Sequence, residues 1–83
     1  MKLDPDTVAT REQLARFVEA FREDLLANPE QWENATLERF LSALASYLED
    51  VPGYLRNSGS DLSPDAASWQ LFAVLLAGAR VYE

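Results

Sequence analysis

Apolar residues recur every three or four positions along three stretches of the chain, which is the spacing of one face of an α-helix. The stretches are separated by segments that contain Pro, Gly, Asn and Ser, residues that end helices or form turns. This pattern predicts helices near residues 10–27, 35–50 and 64–81, and no sheet. We therefore expect an all-α fold, in which residues 1–83 form a single compact three-helix domain.

The first two predicted helices have clear local start and stop signals. The residues TREQ, Thr10 to Gln13, have the form of a capping box, and Pro29 ends the first helix because proline disfavours helical geometry in the residue before it. The second helix has Asn34 or Thr36 as its cap. We expect Pro52-Gly53 to close it, with at most one extra short helical turn in the connection that follows.

The third predicted helix is apolar around most of its circumference. Ser63 is the expected cap and Pro64 the first helical residue. A helix that is apolar nearly all round is buried on most sides, so we expect it to be the central element. Alternatively, its surplus apolar face forms a homodimer. The centres of the facing apolar stripes predict a core of Phe17, Phe21, Phe40, Leu44, Phe72 and Leu76.

The composition argues against several classes of function. The chain has no Cys and no His, so it lacks the residues that most often serve as general base, nucleophile or transition-metal ligand near neutral pH. The Asp and Glu spacings match no EF-hand loop. We therefore expect a protein that is not an enzyme and that uses no metal or other cofactor.

The net charge of −7 has the wrong sign for attraction to nucleic acid or to anionic lipid. The longest nearly uncharged stretch, residues 66–79, is too short to span a bilayer, and the N-terminus lacks the apolar run of a secretory signal. We expect a cytoplasmic protein that binds neither nucleic acid nor membrane.

Acidic residues lie near the ends of the first two helices, where they oppose the helix dipole. In an antiparallel pair these ends would lie beside basic helix starts, so we expect Glu49 or Asp50 to meet Arg11 and Glu23 to meet Arg39. The alternative is an acidic surface that meets a basic partner.

The connection over residues 51–63 is the candidate binding segment. Tyr54 and Leu55 are expected to pin it to the helices, while Arg56 and Asn57 stay exposed. Loops carry function more often than the rigid elements they join, and an Arg beside an aromatic ring is typical of binding surfaces. The candidate partner-binding residues are Glu49, Asp50, Tyr54, Arg56 and Asn57.

An ordered series of motifs in residues 32–83 resembles a family of small acidic bacterial proteins known only as a domain of unknown function. The pattern is Trp-Glu-Asn, Leu-Glu-x-Phe-Leu-x-Ala-Leu, an aromatic, Leu-Glu-Asp, Gly-Tyr, Asn-x-Gly, Ser-Trp-x-x-Phe-Ala and Tyr-Glu. It falls here on Trp32–Asn34, Leu37–Leu44, Tyr47, Leu48–Asp50, Gly53-Tyr54, Asn57–Gly59, Ser68–Ala73 and Tyr82-Glu83. The extra Ala66-Ala67 departs from the pattern, which leaves open whether the third helix starts at Pro64 or nearer Ser68. The resemblance implies a bacterial, cytoplasmic protein and no particular activity.

The leading hypothesis is a non-catalytic protein-interaction module whose partner is another protein, and a basic protein is one candidate for it. A second hypothesis is an immunity-type inhibitor, because small size and acidity would favour electrostatic capture of a basic toxin. A carboxylate-based enzyme is third, because a domain of this size seldom has the deep cleft that such chemistry needs.

Overall fold

The computed structural model describes residues 4–82 of the chain. It contains three α-helices, α1 (Arg11–Ala27), α2 (Leu37–Asn57) and α3 (Trp69–Ala79), and two 3₁₀ turns, Pro5–Thr7 and Pro29–Gln31. No strand is present in the described range, so the predicted all-α class is confirmed. Residues 1–3 and Glu83, which belong to the predicted domain and to the Tyr-Glu motif, lie outside the described residues.

The first two helices begin where the local signals placed them. Thr10 caps α1 by accepting a hydrogen bond from the Gln13 amide at 3.1 Å, and the Gln13 side chain accepts one from the Thr10 amide, also at 3.1 Å. This is the predicted capping box. Thr36, one of the two candidates, caps α2 by accepting from the Arg39 amide.

The prediction that Pro52-Gly53 closes the second helix was wrong, because α2 continues through both residues to Asn57. A proline inside a helix costs about 3 kcal/mol, since it removes one hydrogen bond and crowds the preceding turn. The last turns of α2 bury Val51 and Leu55, which are 2% and 3% exposed. Burial of two such side chains, worth roughly 1.5–3 kcal/mol each, outweighs that cost.

The predicted start of the third helix at Ser63-Pro64 was also wrong. These residues form a turn, in which Ser63 accepts a hydrogen bond from the Asp65 amide, and α3 begins after Ser68. Ser68 accepts from the Leu71 amide at 3.0 Å and is the true cap. Residues 65–67 are exposed and would bury nothing as a helix, so no packing energy favours an earlier start.

Helix α3 is the central element, as its composition predicted. It packs against α1 and the Pro5–Thr7 turn on one side and against α2 on the other. One core cluster lies on the α1 side and consists of Val8, Leu14, Phe17, Phe21, Trp32 and Ala73. The second lies on the α2 side and consists of Tyr47, Val51, Leu55 and Leu71. Helices α1 and α2 therefore both rest on α3, and they meet each other through Phe21 and Phe40.

The predicted core is correct for α1 and wrong for part of α3. Phe17 and Phe21 are buried, while Phe40, Leu44 and Leu76 are half-buried. Phe72 is 50% exposed and does not belong to the core. The buried positions of α3 are instead Leu71, Ala73, Val74 and Ala79. Periodicity could not separate these faces, because α3 is apolar on nearly all of them.

The predicted ion pairs between helix ends do not form in the described part of the chain. Arg11 pairs with its neighbour Glu12 at 3.3 Å, and Arg39 makes no ion pair with Glu23. The reason is the arrangement of the helices: α1 and α2 lie on different sides of α3, so their ends are not aligned as a simple antiparallel pair.

Candidate functional site

Three of the five predicted site residues line one groove beside the C-terminal half of α2. Asp50, Tyr54 and Asn57 are among its lining residues, whereas Glu49 and Arg56 are exposed and are not. The first three follow one another at helical steps of four and three residues, which places them on one side of α2. All five were expected in a loop or at a helix end, and the structure places them inside a continuous helix.

We call this depression the tyrosine groove, because Tyr47, Tyr54 and Tyr82 line it; its volume is about 930 Å³. The rings of Tyr54 and Tyr82 are tilted by 56° and 53° to that of Tyr47, with centroids 6.1 and 4.9 Å away. The rest of its wall consists of Pro5, Gly53, Asn57, Val74, Ala77, Gly78 and Val81. Asp50 is the one formally charged residue among those that line it.

Tyr47 forms the back of the tyrosine groove because α3 has a glycine opposite it. A Cβ atom on Gly78 would clash with the Tyr47 ring, which therefore packs directly on the α3 backbone. Tyr47 is 7% exposed as a result. Sequence reasoning did not select Tyr47 or Tyr82 as site residues, although both stand in the motif that carries the family resemblance.

The polar chemistry of the tyrosine groove is a single hydrogen bond between side chains. The Tyr82 hydroxyl donates to the Asp50 carboxylate, and this bond raises the pKa of Tyr82. Burial raises the pKa of Tyr47, with a smaller contribution from Tyr54 and Tyr82. Both hydroxyls therefore stay protonated at neutral pH, so these tyrosines act as rings and hydrogen-bonding groups rather than as bases or nucleophiles.

Asp24, an acidic residue near the end of α1, belongs to a second cluster of polar side chains, away from the tyrosine groove. The Asp24 carboxylate accepts hydrogen bonds from the Trp32 indole at 2.8 Å, from the Asn28 amide group at 3.2 Å and from the Arg80 guanidinium at 3.2 Å. The pKa of Asp24 is lowered, chiefly by the bond from Trp32. The Arg80 guanidinium also lies over the Trp32 ring, 5.8 Å from its centroid. This cluster joins the end of α1 to the end of α3.

Asn34 completes that junction. Its side-chain amide donates to the carbonyl oxygens of Ala79 and Tyr82, at 2.9 and 2.7 Å. Its backbone amide donates to the backbone carbonyl oxygen of Arg80 at 3.1 Å. These bonds satisfy carbonyls that the end of α3 leaves without helical partners. The Trp-Glu-Asn motif is thus a structural device in which Trp32 and Asn34 hold the C-terminal end of α3.

A second groove lies between α1 and α2, on another side of α2 from the tyrosine groove. This α1–α2 groove has a volume of about 360 Å³ and nearly all of its exposed wall is apolar. Val18 and Leu25 line it from α1, Leu37 and Phe40 from α2, and Leu76 from α3. The groove exists because α1 and α2 rest on α3 rather than against each other.

Helix α2 carries a row of four leucines on one face, and the first of them, Leu37, lines the α1–α2 groove. This leucine seam consists of Leu37, Leu41, Leu44 and Leu48. Their spacing of four, three and four residues is that of one helix face prepared to pack on another helix. Leu37, Leu41 and Leu48 are 73%, 53% and 51% exposed, so the seam has no partner within the described residues.

The surplus apolar face of α3 is exposed as well. Trp69 and Phe72 are 45% and 50% exposed and line a third depression, of about 570 Å³, together with Leu62. Phe72 stands one helical turn before Leu76, on the same side of α3. This is the face through which the sequence suggested a homodimer.

Two further observations concern metals and membranes. Within residues 4–82, no three or more Asp, Glu, His or Cys side chains form a group that could hold a metal ion. In the same range, none of the helices has both the length and the apolar content needed to cross a bilayer.

Comparison with known proteins gives one match. Residues 10–83 match the model of DUF7660, described as a family of unknown function. No curated protein and no solved structure matches the chain. The match covers α1, α2 and α3 in full, and it includes every residue of the α1–α2 groove.

Proposed function

The chain belongs to DUF7660, a family of unknown function, and we propose that it is a non-catalytic protein-interaction module that binds a basic amphipathic helix of another protein in the α1–α2 groove. The observation that carries the proposal is the exposed leucine seam of α2. Monomeric proteins rarely expose a contiguous row of large apolar side chains, and such rows mark interaction surfaces.

The shape of the surface favours a helix as the occupant. The seam from Leu37 to Leu48 runs for about 16 Å along α2, since each residue of an α-helix rises about 1.5 Å. A helix laid in the groove would contact the seam on one side and Val18 on the other, with its apolar residues at steps of three and four. Val18 is 43% exposed and lines the groove. Such a helix would make a fourth packed element beside α1, α2 and α3.

Charge favours a basic partner over a second copy of this chain. Each molecule carries a net charge of −7, so two copies repel each other, whereas a basic helix is attracted and its encounter is accelerated. Glu38 and Glu49 directly follow the seam residues Leu37 and Leu48 and are exposed. Arg22, which lines the groove, is paired with Glu19 at 3.4 Å.

The test measures binding of a synthetic peptide made of Leu and Lys, amphipathic over about four helical turns, by fluorescence anisotropy. Leu37→Glu should weaken binding about tenfold or more, because Leu37 lines the groove and is 73% exposed, and the change replaces its apolar contact with a charge that must lose water. Leu26→Glu is the matched control, since Leu26 is 67% exposed and does not line the groove. A Leu/Glu peptide of the same length should bind far more weakly than the Leu/Lys peptide.

Two results would overturn the proposal. Equal binding by wild type, Leu37→Glu and Leu26→Glu would show that the groove is not the binding surface. A wild-type dimer in sedimentation equilibrium that Leu37→Glu dissociates would show that a second copy of the chain occupies the groove.

An immunity-type inhibitor of a basic toxin is the second candidate function, and the net charge of −7 is the observation that favours it. Capture of a toxin by electrostatic steering predicts an association rate that falls steeply with salt. A basic helix in the groove would share this salt dependence, so the two candidates differ in whether Leu37→Glu, which changes the groove, weakens binding. The expected absence of nucleic-acid and membrane partners follows from the same charge and stays a prediction, as does the cytoplasmic location.

A further inference from the structure

We propose that the tyrosine groove is a second and independent binding site, whose ligand is a methylated ammonium group. The groove lies on a different side of α2 from the leucine seam, so its occupant does not compete with a helix in the α1–α2 groove. The inference rests on the arrangement of three aromatic rings around one carboxylate.

The rings supply the attraction for a cation. The face of an aromatic ring carries negative charge density and attracts a cation that lies within about 6 Å of its centroid. Tyr54 and Tyr82 both follow Tyr47 in sequence, and their rings are tilted by 56° and 53° to its ring. All three residues line the tyrosine groove, so a cation held there would lie close to more than one ring.

The groove also has the right charge. Asp50 is the one charged residue among the lining side chains, and it adds a full negative charge to the ring quadrupoles. Its carboxylate is held in place by the hydroxyl of Tyr82. Arg56, whose guanidinium lies beside Gly53, is not among the lining residues.

The lining favours a methylated ammonium over a primary one. Most of the exposed wall is apolar, formed by rings and by aliphatic residues such as Val74 and Val81. A primary ammonium has three N–H donors that need acceptors, and the apolar part of the wall offers none. A methylated ammonium has few or no donors to satisfy, and it can bury its methyl groups against the rings.

Contacts within the protein hold two of the three rings in place, which lowers the cost of binding. Gly78 lets the Tyr47 ring pack on the α3 backbone, where it is 7% exposed. Tyr82 is fixed twice, through its hydroxyl to Asp50 and through its carbonyl oxygen to the Asn34 side chain. Of the three tyrosines, Tyr54 is the one whose side chain is largely exposed, at 51%. It can therefore be substituted without opening the core.

The experiment titrates the protein with choline chloride and follows the tyrosine and choline methyl signals by NMR. The control ligand is 3,3-dimethylbutan-1-ol, which has the shape of choline without its charge. Choline should bind and the neutral analogue should not bind measurably. A trimethyllysine peptide and its unmodified lysine counterpart, titrated in parallel, separate a modified protein side chain from a free small molecule as the source of the ammonium group.

Two substitutions locate the site. Tyr54→Leu should weaken choline binding about 3-fold to 30-fold, the range expected for loss of one cation–π contact, while Tyr54→Phe keeps the ring and should stay within about twofold of wild type. Asp50→Asn should weaken binding of choline but leave the neutral analogue unaffected.

Three results would overturn the inference: equal binding of choline and 3,3-dimethylbutan-1-ol, no binding of any ammonium compound, or equal binding by Tyr54→Leu and Tyr54→Phe. None of these bears on the proposed function, because the Leu/Lys peptide assay uses the α1–α2 groove. Tyr54→Leu should bind that peptide as wild type does, and a loss of both activities would point to a folding defect instead.

Discussion

Tyr47 and Gly78 show how one residue without a side chain determines the position of a large one. The Tyr47 ring packs where the Cβ of any other residue at position 78 would stand. Gly78 lies within α3, where glycine is normally unfavourable compared with alanine by about 1 kcal/mol. The close approach of ring and backbone offsets this cost, and it also forms the back of the tyrosine groove.

We predict that Gly78→Ala destabilises the protein although alanine is the better helix former. The new methyl group must displace the Tyr47 ring, and overpacking of this kind typically costs about 1–3 kcal/mol. The control is Gly53→Ala in α2, where the new Cβ would meet the Arg56 guanidinium at an ordinary distance of 3.9 Å. That change should be neutral or stabilising by up to about 1 kcal/mol. Urea denaturation of both variants tests the pair; a Gly78→Ala protein as stable as Gly53→Ala would contradict it.

At the scale of elements, α3 buries two of its faces and exposes a third. Ala73 and Ala79 are fully buried, whereas Phe72 is 50% exposed. Leu71 and Val74 are buried as well, so residues of different size share the covered faces, and Phe72 stands on the open one. Which face is covered depends on where α1 and α2 pack, and the apolar pattern of α3 does not determine it.

We predict that Phe21→Ala and Phe72→Ala differ strongly in stability. Phe21 is buried among Phe17, Trp32 and Phe40, and its truncation should cost about 3–5 kcal/mol. Phe72→Ala should cost roughly 1 kcal/mol, because about half of its surface is already in water. Thermal and urea unfolding measure both values. Similar losses for the two variants would mean that α3 presents a different face to the core.

At the scale of the whole molecule, the domain is thin along one axis. Its shortest dimension is 18 Å, against 32 and 27 Å for the others. Helices α1 and α2 both pack on α3 and make few contacts with each other, so the space between them stays open as the α1–α2 groove. The tyrosine groove lies where α2 and α3 meet.

The Asp24 cluster joins the end of α1 to the end of α3, and it predicts that stability depends on pH. The pKa of Asp24 lies below its ordinary value of 3.8, chiefly because of the Trp32 hydrogen bond. A carboxyl with a lowered folded pKa contributes stability that is present above the unfolded pKa and is lost as the pH falls through the folded pKa.

Wild type should therefore lose free energy of unfolding as the pH falls from about 5 through 3.8 and below, and Asp24→Asn should lose less over the same range. Urea denaturation of both proteins across this range tests the prediction, with Glu19→Gln as a surface control, because its partner Arg22 is exposed. Parallel pH profiles for wild type and Asp24→Asn would rule out Asp24 as the titrating group. Acidic self-repulsion affects both proteins, so the difference between them isolates the cluster.

For the candidate site, three of the five predicted residues share one groove, although the local structure predicted for them was wrong. Asp50, Tyr54 and Asn57 were chosen as residues of a loop or helix end, and they share a groove because α2 is helical through Pro52. Tyr47 and Tyr82 were not chosen, since a tyrosine within an apolar stripe is indistinguishable from an ordinary core residue. The spacing of Tyr47 and Tyr54, two helical turns apart, becomes a signal once α2 is known to reach Asn57.

The sequence by itself determined the helical class, the cap Thr10 and the central place of α3, and it narrowed the cap of α2 to Asn34 or Thr36. These depend on side chains that bond to their own backbone within a few residues and on an apolar surplus that must be buried somewhere. Tertiary structure decided where α2 ends, which face of α3 is covered, and that Asp24 meets Arg80. Each of these outcomes depends on a free energy of packing between residues distant in the chain, which for α2 outweighs the local cost of Pro52 and which no local pattern encodes.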